Sequence, residues 1–417
     1  MVSRNAPVWF GKYKLLERIA VGGMAEVFLA VRPGLEGFEK TFAIKRIRPH
    51  LSNEDAFLKM FLFEAKLAAG LQHPHVVQIF DLGKINDSFY IAMEYISGRD
   101  MSRVIPKAEK LGITFPIEYA FAIGERVLDG LAYAHTKADD FGEPLNIVHR
   151  DITPENVMVG WNGNVKILDF GIAKANSQTD QTKAGEIKGK LSYMSPEQGM
   201  GKKLDERSDI FTLGVVLYEW ITGYKLFTGE NEMAILKSII DGRIYPPSYF
   251  REDIPEGIEA ILMKALAKDR EERYQTARDM QFDIQQWLHT VAAFTPTNTH
   301  LANFMKQIFA DEIERERERS AEAAKARRGK TPPPVPATGK HDVMVGEAVG
   351  KAKEGSDKSA ALIVVDSSIR QENGARHTLE LNLSAAEFEK IRVVAQKKGV
   401  APEEVARDLV TTTIKYF

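Results

Sequence analysis

A chain of 417 residues, 44% hydrophobic and 27% charged, has room for about two to three domains and a large core. Its formal net charge of −2 gives no global pull toward nucleic acid or an anionic membrane, and the absence of cysteine excludes disulfides, thiolate zinc sites and thiol catalysis. The N-terminus MVSRNAPVWFGKYKLLERIA lacks a long apolar core ahead of a small-residue cleavage site; the most apolar window, IFTLGVVLYEWITG at 210–223, is too short for a bilayer and carries Glu219. A cytoplasmic protein without membrane contact is expected.

In chain order, residues 13 to about 95 read as short alternating strands with one helix, EDAFLKMFLFEAKLAAGL, whose apolar residues recur at helical spacing. From about 96 to 290 helical patterns dominate, interrupted at 147–170 by an apolar hairpin pattern. Inside it, IVHRDITPENVMV at 147–159 sets His149, Arg150, Asp151 and Asn156 into a run that would otherwise be buried. FMKQIFADEIERERERSAEAAKARR reads as one long helix, its later turns charged all round and its Glu and Arg forming a solvated face. GKTPPPVPATGK ends any helix and starts a stiff extended linker. The predicted organisation is an α+β domain at 13–290, a helical extension at 291–328, a flexible linker at 329–376, mostly disordered apart from the run ALIVVD, and an ordered unit at 377–417.

Chemistry enters at spaced points. Gly22 and Gly23 in RIAVGGMAEVFLAV sit at a turn between two apolar strands, where bare backbone can close over phosphates; a plain hairpin has the same pattern. TFAIKRI puts Lys45 in the middle of an apolar strand, where a charge is costly unless paired, and Glu64 in the helix FLFEAKLAAG is its natural partner. Asp151 and Asn156 follow, and VKILDFGIA ends an apolar strand in Asp169. Two carboxylates and an amide on neighbouring strand ends suit magnesium ions and the orientation of a hydroxyl.

Taken in order with SPE at 195–197, SDIFTLG with Asp209 and KDREERYQTA with Arg273, these motifs resemble the catalytic domain of the eukaryotic-type protein kinase superfamily, in its bacterial Ser/Thr branch. The resemblance covers 13 to about 290 and implies a two-lobed fold, with a small β-rich N-lobe and a helical C-lobe. It further implies a protein serine/threonine kinase that uses ATP and Mg2+ on protein substrates in signal transduction, with a pseudokinase scaffold as the alternative. Lys45 would bind the α and β phosphates, held by Glu64; Asp169 and Asn156 would hold Mg2+, and Asp151 would accept the hydroxyl proton. Ile19, Ala20, Val21, Gly22, Gly23, Met24, Ala25, Glu26 and Val27 would cover the nucleotide, while Ala43, Met93, Glu94 and Ile96 would border adenine. Asp209 would brace the catalytic loop and Glu197 would pair with Arg273. Arg150 would receive a phosphate on the activation segment, with Ser177, Thr179 and Thr182 as candidates.

The departures from the family pattern are specific. Ala20 and Ala25 replace glycines, which implies a looser cover over ATP. Thr153 stands two residues past Asp151, where Ser/Thr kinases carry lysine, and Lys190 in GKLSYMSPE stands where they carry threonine. Lysine and threonine read as having traded places, with Lys190 the catalytic cation near the γ-phosphate; a solvated loop lysine is the other reading.

In the tail, TLELNLS alternates, with Leu379, Leu381 and Leu383 on one face and Thr378, Glu380 and Asn382 on the other. Ser384 and Glu387 form a capping box for a helix ending at Gly399, and Pro402 opens a second helix. Strand, helix, helix resembles a ribbon-helix-helix unit, too small to bury its own core, so a homodimer through 377–417 is expected. A DNA-binding role is the weaker alternative, because Glu380 on the outward face would lie beside phosphates.

Overall fold

The computed structural model describes residues 8–35, 38–48, 55–170, 190–292, 294–318, 360–367, 377–384 and 392. Its small lobe is one antiparallel sheet of β1 (Val8–Phe10), β2 (Tyr13–Val21), β3 (Ala25–Pro33), β4 (Glu39–Ile47), β5 (Ile79–Ile85) and β6 (Ser88–Glu94), in the order β1-β2-β3-β4-β6-β5. The sheet starts earlier than the expected residue 13, with Phe10 paired to Tyr13 across a turn whose Gly11 adopts φ 54°, a conformation that costs glycine little. Strand alternation decides which face each side chain joins. Phe42 and Ile44 of β4 enter one cluster with Tyr13 and Tyr90, whereas Ala43 and Ile47 enter the opposite cluster with Phe61 and Ala65 of α1 (Asp55–Ala69). Lys45, between Ile44 and Arg46, therefore shares the face that looks toward α1.

The large lobe is built on α3 (Ile117–His135) and α5 (Glu206–Thr222), joined by α2 (Met101–Lys110), the single turn α4 (Pro196–Gly199), α6 (Glu232–Asp241), α7 (Glu256–Ala265) and α8 (Ala277–Thr290). Every residue of α5 from Ser208 to Tyr218 is buried, so the apolar window of the sequence is a central core helix. A small antiparallel sheet of β7 (Gly98–Asp100), β8 (Val157–Gly160) and β9 (Val165–Ile167) adjoins the loop HRDITPEN. It joins three stretches expected at the site: β7 follows the segment 94–96, β8 follows Asn156, and β9 leads to Asp169. The two-lobed architecture is the one the sequence predicts.

The extension differs from its prediction. Instead of one long helix from residue 304, α9 (Asn298–Ile308) begins earlier, at a capping box of Thr297 and His300, and a bend at Phe309 separates it from a second helical stretch at 310–318. Its acidic residues are not merely a solvated face: Glu312 and Glu316 both bind Arg99, at 2.9 and 3.0 Å. In the separate C-terminal unit, β11 (His377–Ser384) is a strand as expected, but it pairs antiparallel with β10 (Ala360–Ser367) of its own chain. Residues 360–367, including ALIVVD, thus form a strand within the stretch expected to be a linker. The helices predicted after Ser384 lie outside the described residues, apart from the helical Arg392. Among the described residues no helix is long and apolar enough to cross a membrane.

Candidate active site

The run HRDITPEN becomes a loop pinned to the core by one carboxylate. Asp209, in the first turn of α5 and fully buried, accepts from the backbone N–H of His149 (2.7 Å) and of Arg150 (2.8 Å), and lies 2.8 Å from His135 Nε2. Burial alone would raise the Asp209 carboxyl, but the His135 hydrogen bond and the surrounding donors hold it below the usual carboxylate range. This anchoring supports Arg150 at φ 68°, a left-handed conformation unfavourable for a long side chain. The Arg150 carbonyl in turn accepts from Gln198 Nε2 at 2.9 Å.

His149 is neutral by geometry and by environment. Its Nδ1 accepts from the Asp151 N–H at 3.2 Å, which leaves Nε2 to donate to the Leu168 carbonyl at 2.8 Å. Complete burial pushes its pKa down in the same sense. Its ring lies 4.5 Å from that of Phe170, which is itself buried among Leu71, Val76, Ala134 and Ile147. Asn156, at the end of the turn Pro154–Asn156, donates from Nδ2 to the Asp151 carbonyl (2.8 Å) and to Asp151 Oδ2 (3.0 Å). With the amide nitrogen committed to Asp151, the Asn156 oxygen is directed away from it.

Across the cleft, Lys45 Nζ lies 2.9 Å from Asp169 Oδ1, and Asp169 adopts φ 41°. Glu64 is in α1, but its side chain is outside the described residues. In the sheet, Lys45 is registered between Val27 and Ile91, and Ala43 between Leu29 and Met93. Ala43 and Met93 are buried, with Met24, Val27, Ile96 and Leu168 partly buried against them, an apolar cluster on the α1 side of the sheet. That hairpin closes through Gly22 N–H to the Ala25 carbonyl at 2.9 Å, and Ala20 and Ala25 both stay out of the left-handed region. Ile19 and Val21 are exposed, and the Glu26 carboxylate is engaged by Arg18 (2.7 Å) and Arg46 (2.9 Å). Glu94 is held by Lys166 Nζ at 2.8 Å. Sequence reading missed Lys166 as well as His135: alternation in VKILD shows only that Lys166 leaves the core face, and nothing local reveals its partner 72 positions away.

Thr153 is buried to 2% exposure, and its Oγ1 has no hydrogen-bond partner among the described residues. Lys190 is exposed at the head of the helical turn that leads into the SPE segment. Glu197 of that segment receives both Nη atoms of Arg273, at 2.7 and 3.0 Å, and the Ser208 hydroxyl at 2.7 Å. Burial would raise Glu197, but these donors keep its carboxyl below the ordinary range. Ser177, Thr179 and Thr182 lie outside the described residues.

Known proteins match this arrangement. The family described as "Protein kinase domain" matches residues 13–287. The tyrosine-protein kinase MasK of Myxococcus xanthus is 45% identical over 67% of this chain and 43% of its own length. The serine/threonine-protein kinase PrkC of Bacillus subtilis is 38% identical over 66% of this chain and 40% of its own length. The chain therefore spans less than half the length of these curated relatives. The crystal structure of the Mycobacterium tuberculosis PknI kinase domain superposes with a TM-score of 0.51 at 24% identity, covering 68% of this chain and 99% of that one, a likeness of fold. With a family match over most of its length and the catalytic-loop, lysine and aspartate motifs in family order, this chain belongs to the protein kinase domain family.

Proposed function

We propose that the protein is a serine/threonine kinase that transfers the γ-phosphoryl group of ATP to hydroxyls of protein substrates. The observation that carries this reading is the catalytic loop itself: Asn156 fixes Asp151 Oδ2 at 3.0 Å while Asp209 pins the backbone on either side of His149. In this reading Asp151 orients the acceptor hydroxyl and takes its proton, and Lys45 neutralises the α and β phosphates. The apolar surface of Ala43, Met93 and Val27 suits a purine, and the backbone at Glu94 to Ile96 would supply its edge hydrogen bonds. Asp169 and the Asn156 oxygen are hard oxygen donors that fit Mg2+, which takes few protein ligands and completes its shell with phosphates and water. Asp169 and Asn156 would hold such an ion, whose chemistry when bound would be to offset the negative charge of the phosphates. Because the transferred group needs little covalent help, positioning carries most of the rate.

Similarity to PrkC supports serine or threonine as the acceptor, while MasK carries a tyrosine-kinase name. The 45% identity to MasK therefore makes tyrosine a second acceptor class to be tested. Incubation with γ-labelled ATP, Mg2+ and a generic basic protein, followed by phosphoamino-acid analysis, is expected to give phosphoserine and phosphothreonine. No label above an Asp151→Asn control would end the kinase reading, and phosphotyrosine alone would replace its acceptor class. Dimerisation through 377–417 has less support: β11, the strand that would pair with a second copy, has one edge taken by β10.

A further inference from the structure

The extension beyond the matched domain is fastened to the strand that leaves the adenine segment. Arg99 lies in β7, three residues after Ile96. Its guanidinium donates through Nε to Glu312 Oε2 (2.9 Å), through Nη2 to Glu316 Oε1 (3.0 Å) and through Nη1 to the Gly98 carbonyl (2.7 Å), and lies 5.1 Å from the Trp161 ring centre. Trp161 closes the circuit: its indole N–H donates to Glu316 Oε2 at 2.9 Å, and its backbone N–H donates to the Ser97 carbonyl at 2.8 Å. One arginine and one tryptophan thus hold the carbonyls of Ser97 and Gly98, with two glutamates of the extension holding both side chains.

The seat for this clasp is built for contact. The bend residue Phe309 is buried, 5.5 Å from Trp161, and Phe304 packs on Phe115 (5.5 Å) and Tyr119 (5.3 Å). At the β8–β9 turn, Gly163 has φ 79°, and a Cβ there would stand 1.9 Å from the Asn298 carbonyl, so only glycine lets α9 approach this closely. The β7–β8–β9 sheet beneath has Asn156 immediately before β8 and Asp169 after β9.

We infer that Glu312 and Glu316 are positioning residues for the nucleotide site, acting through Arg99 and Trp161 on the strand that leaves the adenine segment. This rests on the kinase reading above. Neither glutamate reaches the cleft; their effect is on how well the backbone at 94–98 is set for adenine before ATP arrives, a preorganisation that shows in affinity and not in the chemical step. The side chains of Arg99, Glu312 and Glu316 are 19, 28 and 20% exposed, so water screens the pairs only in part.

The test uses the full chain with Glu312→Gln/Glu316→Gln, which keeps shape and removes both charges, and Glu314→Gln as a single-charge control on the same helical stretch, where Glu314 pairs with the exposed Arg317. Binding of a fluorescent ATP analogue with Mg2+, steady-state phosphotransfer and thermal melting are measured for each. The double variant is expected to weaken nucleotide binding and raise KM for ATP by about three- to ten-fold, with kcat changed less than about two-fold, while Glu314→Gln matches the wild type. Equal nucleotide affinity in a folded double variant and in wild type overturns the inference and leaves the kinase reading intact. A fall in kcat at unchanged KM also overturns it, because the residues would then act on the chemical step. Wild-type protein that binds no nucleotide overturns the kinase reading, and the inference with it.

Discussion

Asp209 and Asp151 belong to the same small volume and do opposite things. Asp209 is completely buried and saturated by two backbone N–H groups and His135, so it holds the loop and has no capacity left for a substrate. Asp151 is half-buried and oriented through one oxygen by Asn156. A carboxylate that must hold a backbone is best enclosed by donors, whereas one that must take a proton has to keep contact with the cleft. In the proposed kinase, then, surroundings divide identical side chains into anchor and reagent.

Mutation should separate the two roles. Asp209→Ala strands two buried N–H groups and His135, so the unfolding free energy is expected to fall by about 3–5 kcal/mol, with activity lost as the loop loosens; chemical denaturation measures it. A wild-type denaturation midpoint for this variant would dissolve the division. Asp151→Asn is expected to reduce phosphotransfer by about 10²–10⁴-fold with an unchanged melting temperature, read from labelled-phosphate incorporation and calorimetry on the same sample. A smaller effect is expected at the exposed Lys190, where Lys190→Thr should lower turnover by about ten- to a thousand-fold and added Thr153→Lys should restore part of it; intact turnover would make Lys190 a solvated lysine.

The smallest expected effect is on the pH dependence of stability. His149 is held neutral, its pKa depressed in the fold, so the unfolded chain takes up a proton that the folded chain refuses as pH drops below about 6.5. Stability should therefore begin to fall there as acid is added. A second loss should follow below about pH 4, where Glu197 and Asp209, both held below the carboxylate range in the fold, protonate first in the unfolded chain. Glu197→Gln should remove part of the second loss and none of the first in a melting series across pH; loss of the first would place the His149 assignment in error.

What the sequence made legible was local. HRDITPEN puts Asp151 and Asn156 five residues apart, so their 2.8–3.0 Å contacts are written in one short loop, and alternation in TFAIKRI was enough to set Lys45 apart from its apolar neighbours. The contacts that escaped are long-range. Arg99 and Glu316 are 217 positions apart, and the acidic run at 311–318 carries the same pattern whether it faces water or an arginine. The tail shows the same limit. TLELNLS announces a strand, but which edge it pairs with depends on a segment, Ala360–Ser367, whose apolar run could equally have been a linker's accident. The bend at Phe309 escaped because burial against Trp161, not helix propensity, decides the chain's course there.

The enclosure of α5 has a consequence for how this chain is made. A helix with no solvent face has no stable intermediate position: until α3, α7 and α8 surround it, the segment IFTLGVVLYEW is an exposed apolar surface. During synthesis it emerges well before α8, and at roughly 5–20 residues per second the interval lasts several seconds. Over that time the nascent large lobe presents a sticky segment with a single acid, Glu219, in its final turns, an aggregation hazard that ends only when residue 290 arrives.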